Sequence, residues 1–404
     1  VSGSRAQRLS ARRAERRRAV RRGTMVAAAS VVVAVGTVTG MMSTVGDGRG
    51  ADEARPGVTS SPRLAPPPVV PSLSPSPSPS PSASASATKS PSPTAGPTKK
   101  ASPKASASGK KRRTAPVSTR LYRHPDSQVL DWVRTNPDDP RRAVIESRIA
   151  DQPAAVWFAD HSPETVTSRV RAVASRGAAR GRTPVLVPYA IPDRDCGGHS
   201  EGGAPDLAAY DAWIDRFAAG LGGSEVIVIL EPDAIAQSEC LSAGQRADRF
   251  ASLARAGRVL KDANPRARVY FDAGHSGWHG AAEQAALLRQ AGAASAASSD
   301  GVFSNVSNFH ATADEVAYDR AVLDALGGPP GLGAVIDTSR NGNGAPADGA
   351  WCDPAGRKLG RTPTLSTGET GIDAYLWVKL PGESDGCKGA PGTFTPSYAY
   401  DLAR

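Results

Sequence analysis

From about Thr119 to the C-terminus, short apolar runs rich in β-branched residues alternate with amphipathic stretches. The runs Ala154–Phe158, Val185–Ala190, Val226–Leu230, Val269–Asp272, Gly301–Val306, Ala334–Asp337 and Ala374–Lys379 read as strands. Between them, Pro163–Arg176, Leu207–Gly220 and Ser242–Leu260 read as helices; in the last, Phe250, Leu253, Gly257 and Leu260 recur at helical spacing. Strands that are apolar throughout, rather than on alternate positions, are buried on both faces. In alternation with helices they predict a parallel sheet covered by helices. About seven such units in one block favour a distorted (β/α) barrel over an open sheet.

Upstream the pattern changes. Residues 1–23 form an Arg-rich n-region, with Arg12, Arg13, Arg16, Arg17, Arg18, Arg21 and Arg22 close together. An uncharged stretch of 24 residues follows, Gly23 to Gly46. As a helix it would span roughly 36 Å, enough to cross a bilayer. Residues 24–46 therefore read as an uncleaved signal-anchor or a cleaved signal peptide, with the Arg cluster on the cytoplasmic side and the remainder outside. Residues 47–118 form a linker rich in Pro, Ser, Ala and Lys. It holds too little apolar area to fold and is expected to be extended and solvated. Residues 119–404 form the globular domain, and the protein is expected outside the cell, secreted or tethered to the membrane or wall.

Charge separates along the same boundaries. The 404-residue chain carries a net charge of +10, which by itself suggests a nucleic-acid binder. Residues 1–50 hold ten Arg against two acids, and residues 51–118 hold ten Lys/Arg against two acids. The remaining 286 residues hold 29 Lys/Arg and 35 Asp/Glu, a net −6. An acidic globule is a poor partner for a phosphate backbone, so no nucleic-acid role is expected. The four cysteines, Cys196, Cys240, Cys352 and Cys387, all lie in the globular domain without CxxC spacing. In an exported protein they read as two disulfides, with three pairings open.

Chemistry concentrates where strands end, at the C-terminal rim of such a barrel. Four predicted strands run into acids: Asp193 and Asp195; Glu231 and Asp233; Asp272; and Glu383 and Asp385. One such acid is commonly a helix cap. Four strand ends converging on one rim provide clustered like charges, which keep at least one carboxyl protonated near neutrality. The first strand leads into no Gly-rich phosphate loop, and no Ser lies in a nucleophile elbow. The spacing of His275 and His279 across Gly277 and Trp278 suits a loop, and no metal or cofactor is expected. Trp157, Trp278, Trp351 and Trp377 fall at or near strand ends. Carboxylates beside flat apolar rings are what glycoside hydrolysis requires.

Several segments then become specific. The segment Val187 to Gly197, containing Tyr189, Pro192, Arg194, Asp195 and Cys196 and followed by Ser200, Gly202 and Gly203, resembles the first conserved block of glycoside hydrolase family 6. Val228 to Ile235, with Glu231-Pro232-Asp233, resembles the second. Phe271 to Trp278, Asn305 to Phe309, Trp351-Cys352, and Trp377 to Gly386 resemble the remaining blocks, in order, so the likeness covers the whole of 119–404.

The resemblance implies a distorted β/α barrel with fewer than eight strands and hydrolysis of β-1,4-glucan with inversion at the anomeric carbon. It implies Asp233 as general acid, Asp195 as the carboxylate that keeps it protonated, and Arg194 as the residue fixing that carboxylate. Tyr189 would crowd the sugar, Asp272 would serve the same cleft by binding or electrostatics, and Asp385 would be the base. Lys379, Glu383, His275 and Asn305 would contact hydroxyls, Ser200 would position water, and Trp157, Trp278 and Trp351 would stack on rings. The implied disulfides are Cys196–Cys240 and Cys352–Cys387. Within the family surface loops decide endo or exo cleavage. Only 34 residues separate Cys352 from Cys387, which favours an open cleft and an endo-acting, monomeric cellulase. The alternatives are an exo-acting cellobiohydrolase and a non-catalytic glucan-binding surface protein.

Overall fold

The computed structural model describes residues 120–404. The Arg-rich segment, the apolar stretch and the linker lie outside the described residues, and among those described no helix is long and apolar enough to cross a membrane.

Seven strands form one sheet in sequential order, every neighbouring pair parallel. They are β1 (Val156–Phe158), β2 (Val185–Pro188), β3 (Val226–Leu230), β4 (Ala267–Asp272), β5 (Gly301–Ser304), β6 (Gly333–Asp337) and β7 (Ile372–Leu376). Side chains alternate between two apolar environments. Leu186, Val226, Val228, Leu230, Val269, Phe271, Val302 and Ile336 face the helices. Val185, Val187, Ile227, Ile229, Tyr270, Phe303, Val335 and Leu376 meet inside the curl of the sheet. Burial on both faces explains why β3 is an unbroken apolar run, and each such side chain contributes about 2 kcal/mol.

The sheet curls until the chain just past β7 reaches β1, without a ladder between the two strands. Past β7, the Trp377 carbonyl accepts from the Ala155 N–H at 3.0 Å, and the Val378 carbonyl accepts from the Trp157 indole at 2.8 Å. Helices α1 (Gln128–Thr135), α2 (Arg142–Ile145) and α8 (Pro396–Ala403) cover this seam. Their Val129, Val133, Ile145 and Ala399 pack with Trp377 and Leu380. Trp377, a candidate ring from its position near a strand end, is thereby a buried core residue whose indole donates to the Arg361 carbonyl.

The outer helices are α3 (Val166–Ala179), α4 (Leu207–Ala218), α5 (Ala243–Ala263), α6 (Ala281–Gln290) and α7 (Thr312–Leu326). Ser242 and Gln245 make a reciprocal capping box that starts α5. Gly257 within α5 is a packing necessity, since a Cβ there would lie 2.4 Å from the Ser298 carbonyl oxygen.

Where strands end earlier than their apolar runs, a carboxylate has claimed the next backbone donors. The Ala190 and Ile191 N–H groups, past β2, donate to Glu231, and the Lys379 N–H, past β7, donates to Asp337. Beyond β5, Asn305 turns left-handed, with φ 65°, and the chain leaves the sheet.

Both disulfides follow the pairing implied by the resemblance: Cys196–Cys240 ties the loop after β2 to the loop after β3, and Cys352–Cys387 ties the loop after β6 to the loop after β7. A separation of 44 residues in the first makes its cross-link a strong constraint on the unfolded chain. Replacing Cys196 and Cys240 together by Ser is expected to lower the unfolding free energy by about 3 kcal/mol, read by urea titration. A loss under about 0.5 kcal/mol would refute that account.

Candidate active site

A cleft of about 1400 Å³ opens at the C-terminal ends of the strands. Tyr189, Asp195, Asp233 and Asp385 line it, with Trp157, Trp278 and Trp351. His275, Ser200, Lys379, Glu383 and Arg194 line it as well. The turns that deliver these acids are unusual. Asp193, Asp195, Cys196, Glu231, Asp233 and Asp353 all have positive φ, a conformation costly for residues with a Cβ and characteristic of functional rims.

Asp233 is partly open to the cleft, and no hydrogen bond from the described residues reaches its carboxyl. Desolvation, then the neighbouring Asp272 and Asp195, push its pKa well above 3.8. Burial raises the Asp272 pKa as well, but here backbone donors oppose it. Its carboxylate is 1% exposed and accepts from the N–H groups of Ile235 (3.1 Å), Ala236 (2.9 Å) and Gly274 (2.9 Å). Three such donors favour charge, so in this pair the proton belongs to Asp233. Asp272 therefore lies beneath the cleft and clamps the turn after Asp233; it does not line the cleft.

The loop after β2 wraps around Asp195, whose Oδ2 accepts from the Ser200 N–H at 2.7 Å. Gly198 is required there, because a Cβ would meet that same oxygen at 2.6 Å. Arg194 does not hold Asp195. Its guanidinium donates to the carbonyls of Ala159 (2.6 Å), Ser200 (2.8 Å) and Tyr189, and it lies over the Tyr189 ring at 4.5 Å. Carbonyls from the segment after β1, the end of β2 and the loop beyond it claim the donors that the resemblance assigned to the carboxylate. Tyr189 meets Trp157 edge-on at 5.2 Å, and burial foremost, then Asp233 and Asp195, raise its phenol pKa far above 10.

Across the cleft, Asp385 is ion-paired to Arg340 at 2.7 Å and to Lys379 at 3.4 Å. Arg340 is fully buried, and it also donates to the Ser307 carbonyl and stacks on Phe309 at 4.4 Å. Lys379 also donates to the Ser384 carbonyl at 3.2 Å. Glu383 accepts from Gln128 at 3.2 Å, and burial raises its pKa to about 7. His275 stacks on His310 at 4.2 Å and accepts from the Gly277 N–H through Nδ1, which leaves Nε2 as its donor. Burial first, then His310 and His279, lower its pKa to about 4, so the ring is neutral. Trp351 stands 55% exposed at the cleft mouth, against His199 at 5.4 Å.

Asn305 differs from its expectation. It is fully buried, its amide donates to the carbonyls of His310 and Asp337, and its side-chain oxygen accepts from the His310 N–H. Both amide N–H bonds and one lone pair of the oxygen are used internally, where the left-handed turn folds the side chain back under the loop. Asn305 does not line the cleft. Two residues important to the site carried no sequence reading. Arg340 follows β6 in the polar run Asp337 to Asn341, and Asp353 follows Trp351-Cys352. The acid at the end of β6, Asp337, was the available signal.

The fold and the rim acids define a carboxylate-lined cleft on an incomplete α/β barrel. The description Glycosyl hydrolases family 6 matches residues 117–399, and the chain belongs to that family. It is 53% identical over 291 residues to Endoglucanase 1 of Streptomyces sp. strain KSM-9, covering 72% of this chain and 79% of that protein. It is 49% identical over 284 residues to Endoglucanase A of Thermobispora bispora, covering 70% of this chain and 61% of that one. Among solved structures it resembles the endoglucanase Cel6 of Mycobacterium tuberculosis, in complex with methyl-cellobiosyl-4-deoxy-4-thio-β-D-cellobioside. The TM-score is 0.65 at 40% identity, covering 70% of this chain and 96% of that one.

Asp195→Asn removes one of the negative charges that raise the Asp233 pKa, so the titration midpoint of Asp233, followed by carboxyl ¹³C NMR, is expected to fall; an unchanged midpoint would refute the coupling. A folded pKa above the unfolded value stabilises the protein fully below about pH 3.8, and the gain is lost as pH rises towards the folded pKa. Asp233→Asn should therefore flatten the loss of stability with rising pH over that window, measured by urea titrations.

Proposed function

We propose that this protein cleaves internal β-1,4-glucosidic bonds of cellulose or a related β-glucan, with inversion and with Asp233 as general acid. The observation that carries the reading is the contrast between two carboxyls: Asp272 accepts three backbone N–H groups, whereas Asp233 accepts none from the described residues and has its pKa raised by desolvation and by its acidic neighbours.

Asp233 gives its proton to the glycosidic oxygen as the bond from C1 to that oxygen breaks. A water attacks C1 from the opposite face, and its proton passes towards Asp385, directly or through a second water. Inversion needs a separation of roughly 6.5–9.5 Å between acid and base, which carboxylates on loops after β3 and β7 can meet. When Asp233 has lost its proton, Asp195 is placed to help restore it. Tyr189, braced by Arg194 and Trp157, crowds the sugar ring at the point of cleavage. Trp157, Trp278 and Trp351 are flat faces for sugar rings. Lys379, Glu383 and the Nε2–H of His275 serve hydroxyls, and Ser200 serves the attacking water.

Endo cleavage is supported by the short Cys352–Cys387 segment and the exposed Trp351 at the cleft mouth, and by the relatives named endoglucanases. Two disulfides suit an oxidising, extracellular setting. We place the enzyme there as a monomer, secreted or held by its N-terminal segment.

The wild-type protein is expected to lower the viscosity of carboxymethylcellulose quickly while releasing few reducing ends, and Asp233→Ala should cut the rate by about 10³-fold. Proton NMR of fresh product should show the α-anomer first. A β-anomer would refute inversion, and release of cellobiose without loss of viscosity would refute endo cleavage.

A further inference from the structure

Asp353 has no part in the chemistry described above. It follows Cys352 on the segment after β6, with φ 47°, and is 4% exposed. It does not line the cleft, yet its carboxylate accepts four hydrogen bonds from a single loop. Oδ1 takes the Asp385 N–H at 2.8 Å. Oδ2 takes the Ser384 hydroxyl at 2.5 Å, the Cys387 N–H at 3.0 Å and the Lys388 N–H at 2.9 Å.

The tie is reciprocal. The Asp353 N–H donates to Asp385 Oδ2 at 3.1 Å, the oxygen that Arg340 also holds at 2.7 Å. Ser384 Oγ extends the winding by accepting from the N–H groups of Gly386 and Gly389, each at 3.0 Å. Burial would raise the Asp353 pKa, but the bonds from Ser384, Asp385, Lys388 and Cys387 outweigh it and hold the carboxyl below the usual range. The Cys352–Cys387 disulfide joins the same two segments covalently, and the bonds of Asp353 add contacts to the Asp385 backbone N–H and side chain that the cross-link does not make. The Asp385 side chain is thus held by Arg340, Lys379 and the Asp353 N–H, and Asp353 alone of the three also holds the Asp385 backbone N–H.

From these contacts we infer that Asp353 is a positioning residue, an anionic template around which the Ser384–Lys388 loop is wound so that Asp385 presents a fixed oxygen to the cleft. The inference rests on the reading of Asp385 as base. A misplacement of about 1 Å at a reacting group can cost about 10²-fold in rate while leaving ground-state binding intact. An Asn at this position keeps Oδ1 as acceptor for the Asp385 N–H but turns its amide N–H groups towards those of Cys387 and Lys388, so the conservative change should recover only part of the effect.

The test uses the full chain as wild type, Asp353→Ala, Asp353→Asn, Asp385→Ala and the Asp353→Ala/Asp385→Ala double variant, assayed on a soluble cello-oligosaccharide. Asp353→Ala should lower kcat by about 100-fold with KM within about threefold of wild type. Asp353→Asn should lie between the two, about three- to tenfold below wild type. The double variant should be no slower than Asp385→Ala, because nothing is left for Asp353 to place. Loss of turnover in Asp385→Ala but not in Asp353→Ala overturns this inference alone, as does an additive loss in the double variant. Unchanged turnover in Asp385→Ala overturns the reading of the base and this inference with it. If circular dichroism shows that Asp353→Ala does not fold, Asp353→Asn decides. A fall in kcat at constant KM supports the inference, and wild-type kcat overturns it.

Discussion

Acids gathered at the mouth of an apolar sheet must each be given donors, a cation or a proton, because an uncompensated charge there costs several kcal/mol. The rim follows from how that requirement is met. Glu231 takes the Ala190 and Ile191 N–H groups, Asp272 takes the turn after Asp233, and Asp337 takes the Lys379 and Ser339 N–H groups. Asp385 takes Arg340 and Lys379. Asp233 receives none of these and keeps its proton. Burial raises Glu231 and Glu383 to about 7 as well, so what sets Asp233 apart is that its neighbours have already claimed the donors.

The same bonds shape the loops. Each carboxylate that captures N–H groups past a strand end pulls the chain out of the sheet, and left-handed turns at Asp195, Glu231, Asp233 and Asp353 follow. Pairing a strand to its neighbour and pairing a loop to a carboxylate are therefore alternatives for the same backbone donors. The sheet stops where the site begins. Disulfides across β2–β3 and β6–β7 hold the two sides of the cleft, so the acid and its counterpart each sit on a cross-linked pair of loops.

Much of this was legible along the chain. The seven apolar runs matched the seven strands because burial on both faces demands continuous hydrophobicity. The rim acids were legible because they follow those runs directly. The quiet positions were Arg340 and Asp353. Each lies in a polar stretch that reads as ordinary loop, and each acts on a residue more than thirty positions away. Asn305 misled for a related reason: it sits in a specific segment, but a left-handed turn folds its amide inward.

The sequence by itself determined the parallel α/β architecture, the candidate rim acids and the division between a basic stretch over residues 1–118 and an acidic remainder, since periodicity and charge are properties of neighbouring residues. Only the tertiary structure decided which carboxyl receives donors and which keeps a proton, that Arg194 grips carbonyls rather than Asp195, and that Asp353 and Arg340 hold Asp385. Those outcomes depend on desolvation and on bonds between segments distant in the chain, and neither quantity exists until the sheet has curled and brought its strand ends together.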